Sequence, residues 1–152
     1  MGPVAETARI RLPGRMESVP AFARFVADAC ARHGADADTT YALRFAVEEL
    51  GTNTIKYGYA GMEPGDIALD FTAHPDRFVL AMTDWGRPYD PREAPQPDLT
   101  LSAEERPIGG LGVYLVMSMI DDLSYRPDAG RGNVLTLVKL REGQGSTKKR
   151  NE

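Results

Sequence analysis

Three polar side chains are of types and in settings that could do chemistry: Glu49 and Asn53, which stand close in sequence, and Asp84. Glu49 and Asn53 lie four residues apart in Phe45–Lys56, FAVEELGTNTIK. At about 100° per residue this puts them one turn apart on the same face of a helix. Ala42 and Ala46 continue that stripe with small side chains, which leave room for a ligand to approach. A carboxylate and an amide oxygen so placed can serve a hydroxyl and a divalent cation on one spot. Leu43, Val47, Leu50 and Thr54 fall in the neighbouring arc and are the expected core face. Glu48 points the other way, four residues after Arg44, and is expected to pair with it in solvent. Taken alone, the helix also fits a solvated glutamate and an ordinary helix-ending asparagine.

Three glycine-bearing segments follow. Phe78 to Thr83 alternates like a strand and runs into Asp84-Trp85-Gly86. An aspartate at a strand end, with a glycine that lets the chain turn away, puts a carboxylate at a pocket mouth. There it can accept from an exocyclic amine, although a plain Asp-x-Gly turn reads the same way. Gly109-Gly110-Leu111-Gly112 opens an apolar helix. Amides at a helix N-terminus bind phosphate, and glycines permit close approach. No Gly-Lys-Ser/Thr follows, so this is not a Walker loop, and no β-α-β unit surrounds it as a Rossmann site requires. Gly130-Arg131-Gly132-Asn133 precedes the last strand and by itself reads as a hairpin turn.

The elements that must position these residues can be read from periodicity. Ala8–Leu12 alternates weakly as a first strand. Ser18 is a candidate N-cap with Pro20 in the first turn, and Phe22, Phe25, Val26 and Ala29 recur at helical spacing up to Gly34. Asp38 or Thr39 is expected to open the second helix, which runs to about Tyr57, with a loop from Gly58 to Gly65. Ile67–Thr72 and Phe78–Thr83 form a hairpin around His74–Arg77. Pro88–Pro107 holds five prolines in a long irregular segment, usually a functional loop. Gly112–Ile120 is helical, and Leu123–Arg126 and Asn133–Leu140 are strands around Pro127–Gly132. The order β-α-α-β-β-loop-α-β-β predicts an α+β, two-layer α/β sandwich, with helices on one face of a mostly antiparallel mixed sheet.

The whole chain sets bounds. With 152 residues it is expected to form one domain over 1–140, followed by a disordered polar tail over 141–152, REGQGSTKKRNE. A formal net charge of −4 argues against general nucleic-acid binding. Cys30 is the single cysteine, so no intramolecular disulfide can form, and a reducing cytoplasm is the expected setting. No apolar run reaches the roughly 18 residues of a membrane span, and the N-terminus lacks a signal-peptide core. His33, His74 and Cys30 make no zinc pattern.

The order of the blocks is more specific than any one of them. Glu-x-x-x-Asn on a helix, a strand ending in Asp-x-Gly, a long loop, Gly-Gly-x-Gly and a late Gly-x-Gly-Asn occur in sequence. From about Ala8 to Leu140 the chain resembles the GHKL (Bergerat-fold) ATPase superfamily, and within it the stand-alone anti-sigma serine/threonine kinases. The resemblance implies ATP and Mg²⁺ as cofactors. Asn53 would hold the metal ion, and Glu49 would orient or deprotonate the incoming hydroxyl. Lys56 would stand near the phosphates. Asp84 would accept from the adenine amino group, with Gly86 letting the base sit close. Gly110, Leu111 and Gly112 would meet the phosphates, the glycines through their amides. Pro91–Ile108 would form a lid and bring Arg106 to the γ-phosphate. Many superfamily members have threonine where this chain has Asn133, an amide that can still hydrogen-bond near the base.

The resemblance further implies partner switching: a sigma factor or other effector in one state, and phosphorylation of a STAS-domain antagonist in the other. Related kinases are commonly dimers, so a homodimer is among the expected partners; nucleic acid and membrane are not. The chain has no transducer domain and no helical hairpin with a phospho-accepting histidine, which favours the kinase. Two alternatives remain: an ATP-holding partner-binding module with little transfer, and a histidine-kinase-type catalytic domain.

Overall fold

The computed structural model describes residues 5–93, 100–102, 104, 111–128 and 130–141. Five strands and three α-helices follow the expected order: β1 Glu6–Pro13, α1 Val19–Arg32, α2 Ala37–Asn53, β2 Asp66–Ala73, β3 Arg77–Asp84, α3 Leu111–Met119, β4 Asp122–Arg126 and β5 Asn133–Leu140. The strands form one sheet in the order β1-β2-β3-β5-β4. Every pairing in it is antiparallel, in line with the mostly antiparallel sheet expected, with no parallel pair among the described residues. The polar tail beyond Arg141 lies outside the described residues.

Period-2 alternation decides the buried face of the sheet. Ile67, Leu69 and Phe71 of β2, Phe78, Leu80 and Met82 of β3, and Leu135 and Leu137 of β5 are all buried on the helix side. Against them pack Phe22, Val26 and Cys30 of α1, Leu43, Val47 and Leu50 of α2, and Val113 and Val116 of α3. Each fully buried side chain of this size contributes roughly 1.5–3 kcal/mol of transfer free energy, so the core, rather than helix propensity, holds the layers together. Arg44 and Glu48 sit on the outer side of α2 with Nη2 and Oε1 3.9 Å apart, as the helical wheel predicts.

Ser18 stands at the N-cap position of α1 as expected but without a cap bond, and α2 starts earlier than expected. Ser18 makes no side-chain cap bond, because a 3-10 turn over Met16–Ser18 runs directly into α1 and leaves Ser18 in helical geometry. α2 is capped by Asp36, two residues before the expected start, and its Oδ1 accepts from the Thr39 amide at 2.7 Å. Asp36 has the extended backbone an N-cap requires.

Candidate functional site

Strand alternation does more than build the core. It carries Asp84 onto the helix side at the end of β3, after Phe78, Leu80 and Met82. β5 does the same for Asn133 at its beginning, and the antiparallel register sets Asp84 opposite Asn133. Both side chains are buried, at 8% and 3% exposure. Asp84 Oδ1 accepts from the Gly86 amide at 2.9 Å and from Asn133 Nδ2 at 3.1 Å. Oδ2 has no hydrogen-bond partner among the described residues. Asp84 also lines a cleft. Burial pushes the Asp84 carboxyl above the usual carboxylate range, outweighing the downward pull of the Asn133 and Gly86 bonds.

The opposite wall is made by the end of α2. Its last turn widens into a single π turn over Thr54–Gly58, with the Tyr59 amide bonding Thr54 O at 3.1 Å. Such turns are frequent at functional sites. The Gly58 carbonyl accepts from the Arg87 amide at 2.7 Å, which ties the turn to the chain leaving β3. Tyr59 reinforces the join: its buried hydroxyl donates to Asp66 O at 2.7 Å and accepts from the Trp85 amide at 2.9 Å. At Gly86 an added Cβ would collide with the Gly58 carbonyl and stand 3.0 Å from the Tyr59 ring. This close packing of two backbones gives a reason for glycine at 86 separate from the approach of a base.

Between these walls lies a narrow cleft. Leu50, Asn53 and Thr54 of α2 and its π turn line it, with Met82 and Asp84 of β3, Tyr89, Pro91, Tyr125 and Leu135. The lining is thus mixed: Leu50, Met82, Pro91 and Leu135 are apolar, and Asp84, Asn53, Thr54 and the two tyrosines carry polar groups. Tyr89 is fixed by its amide, which donates to the Tyr125 hydroxyl at 2.8 Å, and by Tyr57, whose ring lies 5.0 Å from the Tyr89 ring.

Asn53 and Asp84 therefore meet in one cleft. Glu49 sits one turn earlier on α2, half-buried, with its carboxylate against Gly112 in the first turn of α3. A Cβ on Gly112 would stand 2.7 Å from Glu49 Cδ and collide with Oε2. Glu49, Asn53 and the start of α3 accordingly form one continuous edge, with Leu111 exposed at its tip. Lys56 is exposed on the π turn and does not line the cleft. Arg106 and Gly110, with most of the expected lid, lie outside the described residues. Trp85 packs against Arg11, whose guanidinium lies 4.3 Å from its ring centre, and does not line the cleft.

Sequence reasoning missed Tyr59, Tyr89 and Tyr125. Nothing in their spacing marks them, since each is brought to the site by a different segment. Among the described residues no three His, Cys, Asp or Glu side chains could hold a metal ion together, and no helix is long and apolar enough to cross a membrane.

The chain belongs to the histidine kinase-like ATPase domains, whose family model matches residues 12–139. Membership of an ATPase family makes ATP the nucleotide to consider. More particularly, the chain is similar to serine-protein kinase RsbW of Listeria monocytogenes serovar 1/2a, 27% identical over 140 residues that cover 90% of this chain and 89% of the relative. It is likewise similar to serine-protein kinase RsbW of Listeria innocua serovar 6a, 26% identical with the same coverage. Serine-protein kinase RsbW of Bacillus cereus is 27% identical over 141 residues, covering 90% of this chain and 88% of the relative.

Proposed function

We propose that this protein is an ATP-dependent serine/threonine protein kinase of the anti-sigma type, with residues 1–140 as one ATP-binding domain. The observation that carries the reading is the buried Asp84 carboxylate. It has one oxygen bonded within the protein and the other without a protein partner among the described residues, in a cleft shared with Asn53. Such an oxygen suits the amino group of adenine. The purine would enter along the apolar wall of Leu50, Met82 and Leu135, and the phosphates would run towards Glu49 and the start of α3.

The residues present fit a magnesium ion. The half-buried Asn53 amide has no partner among the described residues, and its oxygen suits a hard cation that keeps waters and phosphate oxygens as its other ligands. Bound there, Mg²⁺ would neutralise charge on the transferring phosphoryl group. The reaction joins the γ-phosphoryl to a serine or threonine hydroxyl, releases ADP, and needs the hydroxyl proton removed. Glu49, one turn from Asn53, is the group to accept that proton or orient the hydroxyl. Lys56, Arg106 and the amides around Gly110, Leu111 and Gly112 are the proposed phosphate contacts.

The proposed acceptor is a STAS-domain antagonist, and the alternative partner a sigma factor or other effector, in the cytoplasm, with the chain itself as a homodimer. Phosphorylation would decide which complex persists.

The test is calorimetry with ATP and Mg²⁺, followed by transfer of labelled γ-phosphate to a STAS partner. Glu49→Gln should keep ATP affinity within a few-fold of the parent and lower the transfer rate roughly 100-fold or more. Transfer by Glu49→Gln at the parent's rate removes Glu49 from catalysis. ATP binding by the parent without any transfer would instead favour a nucleotide-holding partner module.

A further inference from the structure

Strand β4 contributes one side chain to the cleft. Its alternation turns Leu123 and Tyr125 to the helix side, between the exposed Asp122, Ser124 and Arg126. The register sets Tyr125 opposite Leu135 of β5, which also lines the cleft. The Tyr125 hydroxyl accepts from the Tyr89 amide at 2.8 Å. Burial pushes the Tyr125 phenol above its usual value, against the pull of the Tyr89 amide, so it is neutral near pH 7.

Tyr89 depends on this bond for its place. It lies between the end of β3 and the short 3-10 turn Pro91–Glu93, outside the sheet. From Tyr89 to Glu93 only two hydrogen bonds among the described residues leave the segment, and both end on β4. One is the Tyr89 amide to the Tyr125 hydroxyl, and the other runs from Arg92 Nη1 to the Leu123 carbonyl at 3.4 Å. The bonds between Arg92 and Asp90, and from the Glu93 amide to the Asp90 carbonyl, stay inside the segment. The Tyr89 ring itself lies 5.0 Å from that of Tyr57 and lines the cleft together with Asn53 and Asp84. Phenylalanine at 125 would fill the same space and leave the Tyr89 amide without this acceptor.

We propose that Tyr125 is a positioning residue for the nucleotide: it acts through Tyr89, holding that ring in the cleft wall as the aromatic surface against which the bound nucleotide packs. The inference rests on the nucleotide reading above and adds to it a determinant of affinity carried by β4. An aromatic ring offers a large contact area only where its own position is fixed, and the hydroxyl of Tyr125 supplies the shorter of the two ties that fix it.

The experiment is calorimetry with MgATP on the full chain, Tyr125→Phe, Tyr89→Leu and the double variant, with the ATP dependence of phosphate transfer measured alongside. Tyr89→Leu keeps an apolar side chain but removes the ring, and should weaken ATP about 3- to 10-fold. Tyr125→Phe should weaken ATP by about 3-fold or more, up to the loss caused by Tyr89→Leu. In the double variant the two losses should not multiply, and the affinity should match that of Tyr89→Leu alone. In transfer, Tyr125→Phe should raise KM for ATP by the factor lost in affinity and hold kcat. A merely structural role would instead lower kcat through a smaller folded fraction, with or without the Tyr89 ring. If the parent binds ATP and Tyr125→Phe binds it equally well, or weakens it by the same factor in both backgrounds, Tyr125 does not act through Tyr89, and the nucleotide reading stands without it. If the parent binds no ATP at millimolar concentration, the nucleotide reading falls and takes this inference with it.

Discussion

Asp84→Asn should make this protein more stable and nearly unable to hold ATP. The amide keeps the size of the carboxylate. Its oxygen can still accept from the Gly86 amide and Asn133 Nδ2, now 2.9 and 3.1 Å from Oδ1. What changes is the group facing the cleft, where an acceptor becomes a donor. Losing a hydrogen bond to a charged acceptor costs roughly 1.5–3 kcal/mol, and leaving two donors face to face adds about 1–3 kcal/mol. At about 1.4 kcal/mol per decade the affinity should fall roughly 100-fold or more. The stability change runs the other way. The folded-state pKa of Asp84 is raised by burial. Its contribution to stability is therefore fully present below the unfolded pKa of about 4 and is lost as pH rises through the folded value. At pH 7 the buried charge is a net cost that the amide removes. Thermal melts should show Asp84→Asn above the parent at pH 7, with the gap closing below about pH 4. Because the raised pKa lets protons bind sooner, ATP affinity of the parent should also start to fall at a higher pH than an ordinary carboxylate would give. Calorimetry and melts on the same samples test both halves. A variant that melts lower at pH 7, or binds ATP like the parent, would refute the reasoning.

Other substitutions probe the supports of the site. Gly86→Ala forces a Cβ into the Gly58 carbonyl, a backbone group that cannot swing aside. It should cost about 2–4 kcal/mol in denaturant unfolding, and a loss below 1 kcal/mol would contradict that packing. Tyr59→Phe removes the hydroxyl that bridges Asp66 O and the Trp85 amide. The expected loss is about 1–3 kcal/mol, read from Trp85 fluorescence during unfolding; no loss would mean that water replaces the bridge. Gly112→Ala meets only the flexible end of Glu49, so stability should move by less than about 1 kcal/mol while phosphate transfer drops several-fold more than ATP affinity. Equal losses in both would separate Glu49 from the chemistry.

Local pattern was enough for much of this molecule. The 3.6-residue period of α2 sorted Leu43, Val47 and Leu50 inward and paired Arg44 with Glu48, because side-chain direction on a helix follows from spacing alone. The alternation of β3 likewise placed Asp84 at a strand end, and the block order suggested the ATPase class before any coordinates. Boundaries were less legible: Asp36 and Asp38 are both good caps, and only the backbone geometry selects Asp36. The site needed the tertiary structure for a different reason. Asp84 and Asn133 are 49 residues apart, and a hydrogen bond between them exists only because antiparallel register sets them opposite each other. Tyr59 meets Trp85 because a π turn adds one residue to the last turn of α2, which no spacing rule reports. Glu49 meets Gly112 because α2 and α3 share one face of the sheet. Sequence marked Glu49, Asn53 and Asp84 as candidates and set the face of their own element on which they lie. The packing of elements against one another decided which oxygen of Asp84 is bonded within the protein, since burial and the Asn133 partner come from segments far away in the chain.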